Sequence, residues 1–216
     1  MKKVIFIISI IIGLCGCFRR EEYSYTNNFI AAYIMYDDDA YMVVEKNCDI
    51  GFCGGGYHTY WNRTKYEPYA EKFGDISYNR TLNSTPGCSH FPSSVWALSF
   101  VVTSIDIVSN ASWDATHDAG ISLSDCFSVR FRSIAPYIKS GYNDELLDSC
   151  KSNFLNIPIN TLQSNDMFLT IGMPTMPSFH ICATSPPTID KHHRLTITLT
   201  LDDGSTKEHT VEVTYP

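Results

Sequence analysis

From Leu195 to Tyr215 the chain alternates apolar and polar side chains with a period of two, interrupted once by a turn. Leu195, Ile197, Leu199 and Leu201 alternate with Thr196, Thr198 and Thr200. Val211, Val213 and Tyr215 alternate with Thr210, Glu212 and Thr214. Successive strand side chains point to opposite faces, so this pattern fits a strand with one buried face and no helix. Asp202-Asp203-Gly204-Ser205 joins the runs, and Gly204 readily supplies the positive φ of a tight turn. The pattern predicts a C-terminal β-hairpin, half-buried on each strand. Two strands alone are marginal in water, so the rest of the chain has to cover them.

Other segments carry β-type composition. Residues 29–36 and 41–45 flank Asp37-Asp38-Asp39, which reads as an acidic turn between two strands, and the β-branched stretch 95–108 reads as one long central strand. Phe127, Val129 and Phe131 alternate with Ser128, Arg130 and Arg132, and residues 167–171 and 179–183 read as two more strands. Helical signal is thin: Asn143 can cap a short helix with Leu147, Cys150 and Phe154 on one face, and residues 66–73 stop at Gly74. Many short strands with scattered glycine and proline predict an all-β chain, an antiparallel β-sandwich with one or two short helices. Residues 46–94 read as an irregular excursion within a single domain spanning 29–216.

The N-terminus predicts export. Lys2 and Lys3 precede an apolar run over residues 4–14, too short for a hydrocarbon core of about 30 Å and of signal-peptide length. Leu14-Cys15-Gly16-Cys17 resembles a bacterial lipobox, so residues 1–16 are expected to be removed and Cys17 lipidated, with 17–28 as a polar tether. The membrane is then a partner through the acyl chains. Glu21-Glu22 shortly after Cys17 favours an outer-membrane, cell-surface location, with the periplasmic face as the alternative. The whole chain has 16 basic and 23 acidic side chains. Cleavage removes Lys2 and Lys3 and leaves 14 against 23, a formal charge of −9. Such a domain repels phosphate backbones, and no nucleic-acid partner is expected.

Setting aside Cys15 and Cys17, six cysteines remain: Cys48, Cys53, Cys88, Cys126, Cys150 and Cys182. An even number in an oxidising compartment predicts three disulfides, without selecting their pairing. Cys48, Cys53, Cys88 and His90 offer zinc-type ligands, but their spacing fits no common zinc signature; no metal site and no cofactor are expected.

The tyrosines are lopsided, with ten of the 13 at or before position 78. Tyr57, Tyr60 and Trp61 form one aromatic cluster, and Trp113 lies in a second, polar loop. Exposed rings stack sugars and anchor protein contacts, although tyrosine also packs half-buried in strands. Gly54-Gly55-Gly56 lacks the Lys-Ser/Thr of a phosphate loop and reads as a tight turn beside a disulfide, and His192-His193 reads as solvated surface. Asp114, His117 and Asp118 could act as acid, base and orienter, or hold a cation, yet such residues also bond their own loop backbone. No nucleophile motif accompanies them, so no catalytic residue is assigned.

The lipobox, the run from Trp113 to Cys126 and the strand–Asp-Asp-Gly–strand ending resemble small Bacteroidetes surface lipoproteins of uncharacterised function. The resemblance implies an immunoglobulin-like β-sandwich on a lipid anchor and brings no catalytic residues. The expected function is non-enzymatic binding of a glycan or protein. The alternatives are a hydrolase using Asp114, His117 and Asp118, and a structural subunit of an envelope or adhesive assembly.

Overall fold

The computed structural model describes residues 22–84, 95–173 and 175–216. The signal, Cys17, Cys88 and His90 lie outside the described residues. The described chain is mostly β, with a few short helices. It runs through β1 (Glu22–Thr26), β2 (Ala32–Ile34), β3 (Tyr41–Val44), β4 (Ile50–Cys53), β5 (Tyr57–Thr59), helix α1 (Arg63–Phe73) and β6 (Arg80–Ser84). Next come β7 (Trp96–Leu98), β8 (Val102–Ser109), β9 (Phe127–Phe131), α2 (Ala135–Lys139), α3 (Leu147–Ser152) and β10 (Leu155–Pro158). β11 (Ile171–Gly172), β12 (Phe179–Ala183), β13 (His192–Leu201) and β14 (Thr206–Thr214) complete it.

β13 and β14 form the expected hairpin, with Leu195 opposite Val211 and Ile197 opposite His209. β8 adds the third strand, placing Ile197 beside Ile107 and Leu199 beside Ile105, and the inward Leu195, Ile197 and Leu199 are fully buried. Gly204 has φ 82°, and its N–H donates to the Leu201 carbonyl at 3.0 Å. The hairpin tip is tied down twice: Asp202 accepts from the Val101 N–H at 3.1 Å and meets Lys72 Nζ of α1 at 2.7 Å.

A second sheet has the order β10-β9-β12-β4-β3, and a third β11-β7-β2-β5, while β1 and β6 form a ribbon of their own. Rings bridge the second sheet and the hairpin: His209 of β14 faces Phe52 of β4 at 6.3 Å, and its Nε2 meets the hydroxyl of Tyr36. Among the described residues every strand pairing is antiparallel except β2 with β7, which departs from an all-antiparallel chain. The chain returns to β2's side after a long excursion through β3 to β6, which is the kind of connection parallel neighbours need.

Other expectations are corrected. The stretch 95–108 is two strands, because the chain bends at Ser99-Phe100 and sends β7 and β8 into different sheets. The strands flanking Asp37-Asp38-Asp39 do not pair with each other, although Ala40 N–H does close the turn onto the Asp37 carbonyl at 3.1 Å. Residues 46–59 supply β4, wholly buried inside the five-stranded sheet, and the edge strand β5. Part of the assumed tether is β1, whose Tyr-Ser-Tyr-Thr alternation is itself a strand pattern. Phe154 lies past the end of α3 and is exposed, with the Arg132 guanidinium over its ring at 5.0 Å.

The glycines of 51–56 serve close packing. A methyl on Gly51 would meet Pro177 at 2.6 Å, and one on Gly54 would overlap Ile34. Gly56 N–H donates to the Asp37 carboxylate at 2.8 Å. Cys53 beside them is a free thiol. Among the described residues no disulfide is formed: Cys48, Cys53, Cys126, Cys150 and Cys182 are all free, so the expected set of three bridges is not met there. Cys53 is built into β4 opposite Tyr41, whereas Cys48 Sγ donates to the Thr214 carbonyl at 3.4 Å. No helix among the described residues is long and apolar enough to cross a membrane.

Candidate functional site

The loop from Ser109 to Cys126 hangs on a single buried ring. Trp113 is fully buried against Phe127, His193 and Tyr215, with centroids 5.1, 4.9 and 5.0 Å away. It is therefore core, not a ligand platform. His193 is buried too, where solvated surface was expected. Its Nε2–H donates to the Asp190 carbonyl at 2.8 Å, and Nδ1 pairs with the Ser109 hydroxyl at 2.8 Å. His192 is exposed.

Above the Trp113 anchor the backbone folds back on itself. Trp113 N–H donates to the His117 carbonyl at 2.9 Å, and Leu123 N–H donates to the Ile107 carbonyl at 2.7 Å. Asp114 Oδ1 collects the Thr116 N–H at 2.8 Å, the Thr116 hydroxyl at 2.7 Å and the His117 N–H at 3.0 Å. This is the backbone-capping use of an aspartate. The same oxygen accepts from His117 Nδ1 at 2.9 Å.

The return of the chain brings two further groups to the ring. His117 Nε2 lies 3.1 Å from Asp125 Oδ1, and Cys126 Sγ lies 3.7 Å from Nδ1 and 3.9 Å from Nε2. Cys126 Sγ is also 3.7 Å from Asp125 Oδ1. Asp118 does not join; it accepts from the Ser112 hydroxyl at 3.4 Å. The structure thus assembles Asp114, His117, Asp125 and Cys126, half of which the sequence reading had not placed together. The only signal was proximity in sequence, and Cys126 had been counted toward a disulfide.

The electrostatics follow from the contacts. The hydroxyl and N–H donors of Thr116, then His117, hold the Asp114 carboxyl well below the usual range. The bond to Asp114, helped by the charge of Asp125, pushes His117 up. Burial, then the neighbouring Asp125 and Asp114 charges, push the Cys126 thiol up to about 11. A nucleophilic cysteine needs a lowered pKa and a free base within about 2.6–3.2 Å. Here the thiol stays protonated and both ring nitrogens already face carboxylates. The arrangement does not suit covalent hydrolysis.

The aromatic cluster divides. Tyr60 is buried, with the Arg63 guanidinium over its ring at 4.3 Å, whereas Tyr57 and Trp61 are 48% and 59% exposed. Tyr57 packs against Trp96 of β7 at 4.7 Å. A separate cleft of about 400 Å³ opens between α2, α3 and β10, lined by Lys139, Cys150, Asp166 and Phe168 among others. It shares no residue with the His117 cluster. No protein-family model, no curated protein and no solved structure matches this chain.

Proposed function

We propose that the chain is an exported, lipid-anchored surface module that binds a glycan or protein ligand without transforming it. The carrying observation is the exposed aromatic ledge of β5 and its turn. Tyr57 keeps 48% of its surface in water while braced against Trp96, and Trp61 keeps 59%. Large rings held open by packing beneath them suit sugar stacking and protein anchoring, because their apolar faces are presented at little entropic cost.

In this reading residues 1–16 direct export and acylated Cys17 tethers the domain to the outer membrane, facing outward, in the manner of the small Bacteroidetes surface lipoproteins. The sheet β14-β13-β8 then lies on β10-β9-β12-β4-β3 as an immunoglobulin-like sandwich, supported by the ring contacts of Trp113 and His209 between them. The test is binding of the detergent-extracted full chain to glycan arrays and to cell-surface protein fractions. Trp61→Ala and Tyr57→Ala should each weaken binding at least about tenfold, the loss of a central aromatic contact, with the melting temperature unchanged. Binding indifferent to both substitutions, or absent for every ligand class, overturns the reading.

A further inference from the structure

The register of β2 with β5 fixes which backbone groups of β5 are used. Ala32 lies opposite Thr59, Tyr33 opposite His58 and Ile34 opposite Tyr57. Just outside these pairs, Met35 N–H donates to the Gly56 carbonyl at 2.7 Å and Tyr60 N–H to the Ala31 carbonyl at 3.2 Å. Hydrogen-bonded and non-hydrogen-bonded pairs alternate along an antiparallel ladder. Gly56 and Tyr60 bond to β2, so His58 between them does too, and Tyr57 and Thr59 turn their backbone groups away from it. That side of β5 is the edge of the sheet β11-β7-β2-β5.

The Thr59 carbonyl is taken by the Asn62 N–H at 2.9 Å. Among the described residues the Tyr57 N–H, the Tyr57 carbonyl and the Thr59 N–H have no hydrogen-bond partner. They form a donor–acceptor–donor row with the two-residue repeat of a strand, which an extended main chain meets as acceptor, donor and acceptor. The other sheet edges offer less. β3 lies alongside β14, the Ile107 carbonyl of β8 already accepts the Leu123 N–H, and β10 ends in Pro158, which has no N–H to give. The surroundings of β5 also carry a charge preference. Asp37 accepts the Gly56 N–H at 2.8 Å, which sets the Asp37-Asp38-Asp39 turn at the end of β5 where Tyr57 begins. All three carboxylates are exposed, and among the described residues none is in an ion pair.

We propose that β5 is a strand-addition site, where an extended segment of a partner protein pairs through its main chain with Tyr57 and Thr59. The segment is apolar where it lies against the Tyr57 ring, which is 48% exposed and braced by Trp96. It is basic where it passes the Asp37-Asp38-Asp39 turn, since the exposed carboxylates there call for the opposite charge. Main-chain bonds supply the affinity and the alternating side chains the specificity. This inference rests on the binding reading above and narrows its ligand from a glycan or protein to a peptide strand.

The probe is a blocked heptapeptide of alternating valine and lysine, titrated into the detergent-extracted full chain by calorimetry. Saturable one-to-one binding is expected, and none for the same peptide with glutamate in place of lysine. Methylating either the valine or the lysine amides blocks one backbone edge of the peptide. One methylated peptide should therefore bind at least about tenfold more weakly and the other like the parent, a main-chain hydrogen bond being worth up to about tenfold. Thr59→Pro removes the outward N–H and keeps both exposed rings; with its melting temperature unchanged, it should weaken binding about tenfold, whereas Thr59→Ala should not. Absence of binding overturns the proposal. So does binding that both methylated peptides retain, which would be attraction by charge alone. If glycan binding that depends on Trp61 or Tyr57 survives in either case, strand addition falls and the broader binding reading stands.

Discussion

Asp75 Oδ2 accepts the backbone N–H of Ile30 at 2.8 Å, linking the residue after the α1 stop to the segment that enters β2. The same carboxylate takes the Phe29 N–H at 2.8 Å and the Tyr142 hydroxyl at 2.9 Å, and Asn28 Nδ2 donates back to the Asp75 carbonyl. Asp75 is fully buried, and burial pushes its carboxyl up against the lowering effect of these donors. One side chain thus accepts the backbone donors of both Phe29 and Ile30. It also locks α1 beneath the sheet containing β2.

Asp75→Ala should therefore cost about 2–4 kcal/mol, since buried donors left without an acceptor cost about 1–3 kcal/mol each and relax in part. Asp75→Asn should cost less: its amide oxygen can keep the backbone donors while its NH₂ turns to Tyr142. Urea unfolding of the three proteins checks the order. Equal losses would show that charge, not acceptor geometry, is what the site needs.

His209 sets a pH dependence. Burial lowers its pKa below 6.5, and its ring faces Tyr36 and Phe52, with Lys207 Nζ 5.4 Å over the Tyr36 ring. The unfolded chain then binds a proton that the folded chain resists. The stability contributed by neutral His209 is complete above about pH 6.5 and is lost as pH falls through the lower folded value. His209→Gln should flatten the fall of the urea midpoint below that pH relative to the natural chain. A steeper fall in the variant would contradict the assignment.

Two glycines should respond differently to alanine. At Gly54 the new methyl runs into Ile34, a fully buried side chain of β2, so Gly54→Ala should cost about 1–3 kcal/mol by overpacking. At Gly74 nothing lies within 4 Å, and only the φ of 71° resists, so Gly74→Ala should cost about 1 kcal/mol. Thermal unfolding of both variants ranks them.

The elements legible in the sequence are those whose information is local. The β13–β14 hairpin and β9 carry a two-residue period, and the α1 stop carries its αL glycine at Gly74. The break between β7 and β8 was hidden because both flanks are buried and read as one apolar run. β4 was hidden because it ends on Cys53, which counts toward a disulfide, beside Gly54-Gly55-Gly56, which reads as a turn; close approach of Pro177 is what requires Gly51. The site was half legible. Asp114 and His117 are three apart in one loop, but Asp125 and Cys126 reach the ring through contacts that bring the chain back to β8, among them Leu123 N–H to Ile107 and the Val108–Ser122 bridge.

Thiol titration bears on the cysteine chemistry directly. With Cys48, Cys53, Cys126, Cys150 and Cys182 free, the denatured and unreduced chain should yield at least five titratable thiols. A chain with three bridges among Cys48, Cys53, Cys88, Cys126, Cys150 and Cys182 would yield none of these. Reductant should then leave the melting temperature unchanged.

Trp113 and Trp61 separate folding from recognition. Trp113 is fully enclosed by Phe127, His193 and Tyr215, and its carbonyl also receives the Thr188 N–H at 2.8 Å. Removing the indole opens a cavity at the base of the 110–126 loop, and Trp113→Ala should cost about 3–5 kcal/mol. Trp61, 59% exposed, has little core to lose, and surface changes stay within about 0.5 kcal/mol. Calorimetry on the two variants should therefore show a large drop in melting temperature for Trp113→Ala and almost none for Trp61→Ala. Any ligand lost by Trp113→Ala should return when the variant is refolded at lower temperature, because its ring never meets the ligand. A ligand still lost under those conditions would move the binding surface to this loop.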